Sequence, residues 1–171
     1  MPRLLLFIFT VTFSPLLMAG EEAQAYLKQY VGRWKGDFTI HSAAANYTRS
    51  FPVEQRYWWE DGALHGLSVS DTSEGMRTAR SKTVFENDRF VSEVERDETV
   101  ETYFGVLHDG GIVWLSSDLG RATDYQLRES FVEVDGAMEL HTDGFDSYVY
   151  QGGLAHLVYR GRLKRETKVG Q

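Results

Sequence analysis

The first candidates for chemistry in this chain are its five histidines. They are His41, His65, His108, His141 and His156. No two of them stand at the i, i+2 or i, i+4 spacing by which one strand or helix face presents two metal ligands, so no metal site is predicted. His65 alternates with Leu67 and Val69 along an apolar strand face, and we expect it to point inward. A histidine there, beside Tyr57 or Trp59, is a hydrogen-bonded core or pocket residue, or alternatively a ligand contact or a base.

A run of acidic residues is the second candidate, for acid–base catalysis or calcium binding. It consists of Glu93, Glu95, Asp97, Glu98 and Glu101. Residues 93, 95 and 101 alternate along two adjoining predicted strands, opposite to Phe90 and Val94, which favours the solvated face of a hairpin. The chain has no Gly-x-Ser-x-Gly elbow, phosphate loop or dinucleotide fingerprint. No motif therefore predicts an enzyme of those classes.

Aromatic residues make up 13% of the chain and provide the third candidate, an interior pocket. The predicted interior set is Trp34, Phe38, Tyr57, Trp59, His65, Leu67, Tyr103, Trp114 and Tyr125. Rings with a polar tip suit a mostly apolar small-molecule site. The predicted ligand contacts are Tyr57, Trp59, His65, Tyr103, Trp114 and Tyr125. The alternative is a filled interior, because an eight-strand barrel is just wide enough for side chains to fill it.

Period-two patterning describes the elements that would position these side chains. From Val31 to Ile40, apolar and polar residues alternate, as in a half-buried strand, and a short helical stripe at Glu21–Tyr30 precedes it. Turn residues then recur at close intervals, at positions 60–62, 87–88, 96–98, 108–111, 135–136 and 142–144. Short strands joined by hairpins predict an all-β fold, an antiparallel up-and-down barrel of about 8–10 strands with one short N-terminal helix. A two-sheet sandwich is the alternative.

The first twenty residues differ in composition from the rest. Arg3 is followed by an apolar run to Met18 and by Ala19 and Gly20, which predicts a secretory signal peptide at residues 1–20 and a single barrel domain at 21–171. Residues 21–171 carry 17 basic and 25 acidic side chains, a net charge of −8, which disfavours nucleic acid and anionic lipid. An exported chain without cysteine is typical of a bacterial periplasmic or secreted protein. No integral membrane segment is expected after cleavage.

The stretch from Leu27 to Gly36, Leu-x-x-x-x-Gly-x-Trp-x-Gly, resembles the opening of the lipocalins and the wider calycin group. It is similar also to small bacterial lipocalin-like domains of uncharacterised function. The resemblance implies that an arginine of the last strand, Arg160 or Arg162, packs over Trp34 and closes the barrel. Lipocalins often have a disulfide, and haem-binding relatives have further glycines and a histidine ligand. Cysteine is missing here and Asp37-Phe38-Thr39 follows Gly36, so no cofactor is predicted.

Together these observations predict an exported, lipocalin-like barrel that binds a small hydrophobic ligand without transforming it. Two alternatives remain open. One is an enzyme of the same fold that uses His65 or a buried carboxylate in the cavity. The other is an interaction protein of the cell envelope that uses the outer face of the barrel. The sequence leaves the oligomeric state open.

Overall fold

A computed structural model describes residues 15–42, 44–117, 125–150 and 153–166, without the side chains of residues 15–19 and 148–150. The first fourteen residues of the predicted signal peptide, and the last five residues of the given sequence, therefore lie outside the described residues. No helix in the described ranges has the length and apolar character needed to cross a membrane.

Ten strands and one helix make up the described chain. They are α1 (Pro15–Lys28), β1 (Gly32–Ser42), β2 (Tyr47–Glu60), β3 (Ala63–Thr72), β4 (Gly75–Glu86), β5 (Arg89–Arg96), β6 (Thr99–His108), β7 (Gly111–Ser116), β8 (Gln126–Val134), β9 (Ala137–Tyr150) and β10 (Gly153–Arg165). Every strand pairs antiparallel with its neighbour in sequence, and β1 closes the ring by pairing with β10. The predicted up-and-down barrel is confirmed, and the sandwich is not formed.

Tight turns set this order. In the β2–β3 turn, Asp61 and Gly62 have φ angles of 49° and 76°, and Asp135 and Gly136 repeat the arrangement with 51° and 76° between β8 and β9. Two consecutive positive φ angles match the right-handed twist of a hairpin, and glycine and aspartate adopt them more easily than most residues. The turn predicted at 142–144 is wrong, because β9 runs unbroken through it. Gly144 is needed for close approach, since a Cβ there would lie 2.4 Å from the Gln126 carbonyl oxygen.

The end of the barrel next to α1, here called the helix end, is closed by a buried cluster that includes Ala23, Tyr26 and Leu27 of α1 and Trp34 of β1. Trp34 is completely buried, and its Nε1 donates a 2.7 Å hydrogen bond to the Tyr30 carbonyl oxygen. The Arg165 guanidinium carbon lies 4.5 Å from the Trp34 ring centroid, within cation–π range. Arg165 also donates to the Gln29 carbonyl oxygen, which ties the last strand to the end of the helix.

The arginine over Trp34 is therefore Arg165, and the prediction of Arg160 or Arg162 is wrong. The β1–β10 register pairs Trp34 with Arg165, and odd-numbered residues of β10 such as buried Leu163 point inward. The even-numbered arginines consequently face outward. Arg160 is exposed, and Arg162 donates to the Asp143 carboxylate oxygens at 2.7 and 3.0 Å on the outer surface.

Candidate functional site: an interior cavity

The barrel encloses a cavity of about 510 Å³ that extends along most of its length. At one end it reaches Leu27 and Tyr30 of the helix region, and at the other it reaches the exposed residues Arg77 and Arg80 of β4. The cavity therefore has a floor at the helix end and a mouth open to solvent at the opposite end. Its volume falls in the range of roughly 300–1,000 Å³ that is typical of small-molecule sites.

Four of the six predicted ligand contacts line this cavity. They are Tyr57, Tyr103, Trp114 and Tyr125. Glycines opposite two of the rings make space for them. A Cβ on Gly105 would lie 2.7 Å from the Trp114 ring, and one on Gly66 would lie 2.7 Å from the Tyr57 ring. Side chains therefore fill only part of the barrel interior, and a cavity remains between them.

Trp59 belongs to the inner face of β2 but does not line the cavity. It packs against the core beside α1, and Lys28 Nζ lies 5.2 Å from its ring centroid. Its position at the helix end makes it part of the barrel's closure rather than a wall of the cavity.

His65 lies on the outer face of β3, so its predicted inward orientation is wrong. The β2–β3 register pairs His65 with Trp58, and the two rings stack with centroids 5.6 Å apart. Its neighbour Leu64 is buried and lines the cavity. His65 is therefore not available to a ligand inside the barrel.

The floor of the cavity holds a carboxylate that the sequence did not single out, Glu129 of β8. Its Oε2 accepts hydrogen bonds from Trp114 Nε1 at 2.9 Å and from the Tyr30 hydroxyl at 3.1 Å, and the carboxylate accepts a third from Thr142. The Glu129 side chain is half-buried and lines the cavity. Burial raises the pKa of Glu129 above its usual range, and the three hydrogen bonds offset this only in part.

Three tyrosines around this carboxylate stay protonated at neutral pH. Burial, with the nearby Glu129 charge second, raises the pKa of Tyr26 to about 12. The same two causes raise the pKa of Tyr30 and of Tyr57 well above the usual value for a phenol. In the described part of the chain, the floor therefore offers the neutral hydroxyl groups of Tyr30 and Tyr57 beside the acid Glu129.

The two sides of the cavity differ in chemistry. One side is apolar and lies on β1, β2 and β10, with Phe38 between Phe51 and Tyr159 at centroid distances of 5.9 and 6.1 Å. The other side lies on β3, β4 and β5 and carries hydroxyl groups, from Ser68, Ser70, Thr72, Thr78, Ser81, Thr83 and Ser92. A bound ligand would contact an apolar wall on one side and a hydrogen-bonding wall on the other.

The acidic run at 93–101 divides between the two faces of the sheet. Glu93 and Glu95 are exposed on the outer face, as predicted. Glu101 shares the inner face of β6 with Tyr103, whose hydroxyl group donates a hydrogen bond to it, so its predicted outer position is wrong. No group of three or more possible metal ligands comes together in the described part of the chain.

Glu129 could have been found from its alternation with Leu127 and Phe131, since one acid between two apolar residues on one strand face is a signal of a buried carboxylate. The closed barrel of ten strands with one short helix fits a calycin-like fold. In comparisons with known proteins, no family model matches the chain and no curated protein matches it significantly.

Proposed function

We propose that this protein is an exported, calycin-like carrier that binds a small, largely apolar molecule inside the barrel and does not transform it. The observation that carries the proposal is the open cavity of about 510 Å³, which is lined by aromatic side chains that include Tyr57, Tyr103, Trp114 and Tyr125. A filled core would have left no space for a ligand. Removing a ligand's apolar surface from water contributes roughly 25 cal/mol per Å².

Export is supported by the composition of residues 1–20, and cleavage there would leave the barrel closed. The predicted cleavage site, after Ala19 or Gly20, lies inside this helix. Among the described side chains of the helix region, Ala23, Tyr26, Leu27 and Tyr30 belong to the core, and all four follow that site. A cleaved chain would therefore keep these core side chains, which close the helix end of the barrel. Intact mass measurement of the protein from a periplasmic fraction tests this, and a full-length mass there would contradict cleavage.

Ligand binding is tested with a neutral fluorescent hydrophobic probe, N-phenyl-1-naphthylamine, whose emission rises in an apolar cavity. Ser68→Phe places a ring in the cavity from the hydroxyl-lined side, whereas Ser50→Phe places the same ring at an exposed position on β2. We expect Ser68→Phe to weaken probe binding at least tenfold and Ser50→Phe to leave it unchanged. Equal binding by both variants would show that the probe binds elsewhere.

The enzyme alternative keeps one specific observation, because Glu129 is a carboxyl with a raised pKa inside a cavity. Groups of this kind act as general acids when a substrate lies beside them. A carrier returns its ligand unaltered. Recovering a chemically changed ligand after incubation with wild-type protein, but not with Glu129→Gln, would favour the enzyme.

A further inference from the structure

Glu129 lacks a basic partner at the floor of the cavity. In the described ranges, no lysine, arginine or histidine forms an ion pair with it, and all three of its hydrogen bonds come from neutral donors. The neighbouring Arg128 side chain turns outward and donates to the Asp109 carbonyl oxygen at 2.7 Å. Among the residues that the structure describes, none therefore supplies a positive charge that balances the Glu129 carboxylate at the floor.

Aromatic rings surround the same part of the cavity. Tyr30 and Tyr57 meet edge to face, with centroids 5.5 Å apart, and Trp114 donates directly to the carboxylate. Tyr103 and Tyr125 form a second pair of rings, 5.7 Å apart, higher on the wall. Ring faces attract cations, most strongly where water is excluded. A carboxylate and several ring faces together favour a positively charged group over a neutral or negative one.

Arg77, Arg80 and Arg96 lie at the mouth and oppose the entry of a cation, but the charges around them offset this in part. Residues 21–171 carry a net charge of −8, which raises the local concentration of cations around the protein. Arg77 at the mouth is paired with Glu74 at 2.8 Å and with Asp97 at 3.1 Å, so its charge is balanced there. Because Glu129 is already partly buried in the folded protein, a cation that reaches it adds mainly its own desolvation cost.

We propose that the cavity accepts an organic cation, an ammonium group on an apolar body, with the ammonium at Glu129 and the body along the apolar wall formed by Phe38, Phe51 and Tyr159. This inference rests on the proposed function, because it names the ligand class of the same cavity. The length of the cavity, from the floor to the exposed mouth, requires the charged end to enter first.

Three probes with one apolar body separate the possibilities: 4-phenylbutylamine, 4-phenylbutanol and 4-phenylbutyrate, which carry a positive, a neutral and a negative end at pH 7. Calorimetric titration of the wild-type protein gives the three dissociation constants. We expect the amine to bind at least tenfold more tightly than the alcohol, and the carboxylate to bind most weakly. Equal affinities would overturn the cation inference and leave the carrier function standing. Binding of none of the three would overturn both.

Glu129→Gln identifies the group responsible. The amide oxygen can accept from Trp114 and Tyr30 as Oε2 does, and the amide nitrogen can donate to the Thr142 hydroxyl, so we expect the fold to be preserved. We expect this variant to bind the alcohol as wild type does and to lose the preference for the amine. Glu93→Gln, an exposed acid on the outer face, is the matched control. An amine preference that survives in Glu129→Gln would overturn the assignment, whereas the wild-type ranking tests the ligand class even if the variant does not fold.

Discussion

Replacing Trp34 by alanine tests whether the buried cluster at the helix end, which includes Trp34, holds the barrel closed. Trp34 is completely buried, lies on β1 next to the β1–β10 seam, and packs against Phe131 with ring centroids 5.6 Å apart. Truncating a buried tryptophan to alanine costs about 3–5 kcal/mol, since the surroundings relax only partly into the cavity. We therefore expect Trp34→Ala to lower the free energy of unfolding by about 4 kcal/mol.

Two measurements make this result interpretable. Urea unfolding followed by circular dichroism gives the free energy, and the thermal midpoint should fall by roughly 10 °C in a domain of this size. Trp34→Phe keeps a ring but removes the donor to the Tyr30 carbonyl oxygen, which leaves a buried acceptor without that partner and costs about 1–3 kcal/mol. A loss below about 1 kcal/mol for Trp34→Ala would refute the reasoning, because a side chain that closes the barrel cannot be removed at so small a cost.

Three further predictions follow from the same structure. Arg165→Ala should lower the free energy of unfolding by about 1–2 kcal/mol, because it removes the stacking on Trp34 and the hydrogen bond to the Gln29 carbonyl oxygen. Arg160→Ala, at an exposed position, should change it by no more than about 0.5 kcal/mol. Equal losses of about 1–2 kcal/mol in urea unfolding would restore Arg160 as a closing residue. Because the pKa of Glu129 is raised in the folded state, the native protein binds this proton more tightly than the unfolded chain does. The free energy of unfolding should therefore fall as the pH rises from the unfolded-state pKa through the folded-state pKa. Glu129→Gln should flatten that segment of a curve of unfolding free energy against pH, and an unchanged slope would contradict the shift. Gly36→Ala places a Cβ 1.9 Å from the Arg162 carbonyl oxygen and should cost about 3 kcal/mol or more in urea unfolding, and a neutral effect would mean that β1 and β10 can separate locally.

Local chemistry made the fold predictable. Turn residues such as Asp61 and Gly62, or Asp135 and Gly136, announce themselves because few other residues adopt two consecutive positive φ angles easily. Alternation along β1 likewise identified Trp34 as an inward residue, because successive side chains of a strand point to opposite faces. What local chemistry could not give was Arg165. The β1–β10 register that places it over Trp34 pairs the first strand with the last, and no turn links those two strands.

Gly144 shows a second limit. In sequence, Thr142-Asp143-Gly144 has the composition of a turn, yet the glycine lies within β9 opposite Leu127. Its hydrogen side chain lets the Gln126 carbonyl oxygen and the Leu127 backbone approach more closely than a Cβ would allow. Glycine serves turns and close backbone approaches equally well, so only the pairing partner distinguishes them.

The outward position of His65 follows from a constraint that alternation within one strand does not contain. A two-residue turn at Asp61 and Gly62 pairs Glu60 with Ala63 and Trp59 with Leu64, and directly opposed residues of neighbouring strands point to the same side of the sheet. If Trp59 points inward, Leu64 must do so as well, and His65 must point outward. Applied to the turn at Asp135 and Gly136, the same rule pairs Glu129 with Thr142, so the buried acid and one of its donors belong to a single inward cross-strand pair. Parity carried across turns, rather than apolar character along a strand, therefore selects the residues that reach the cavity.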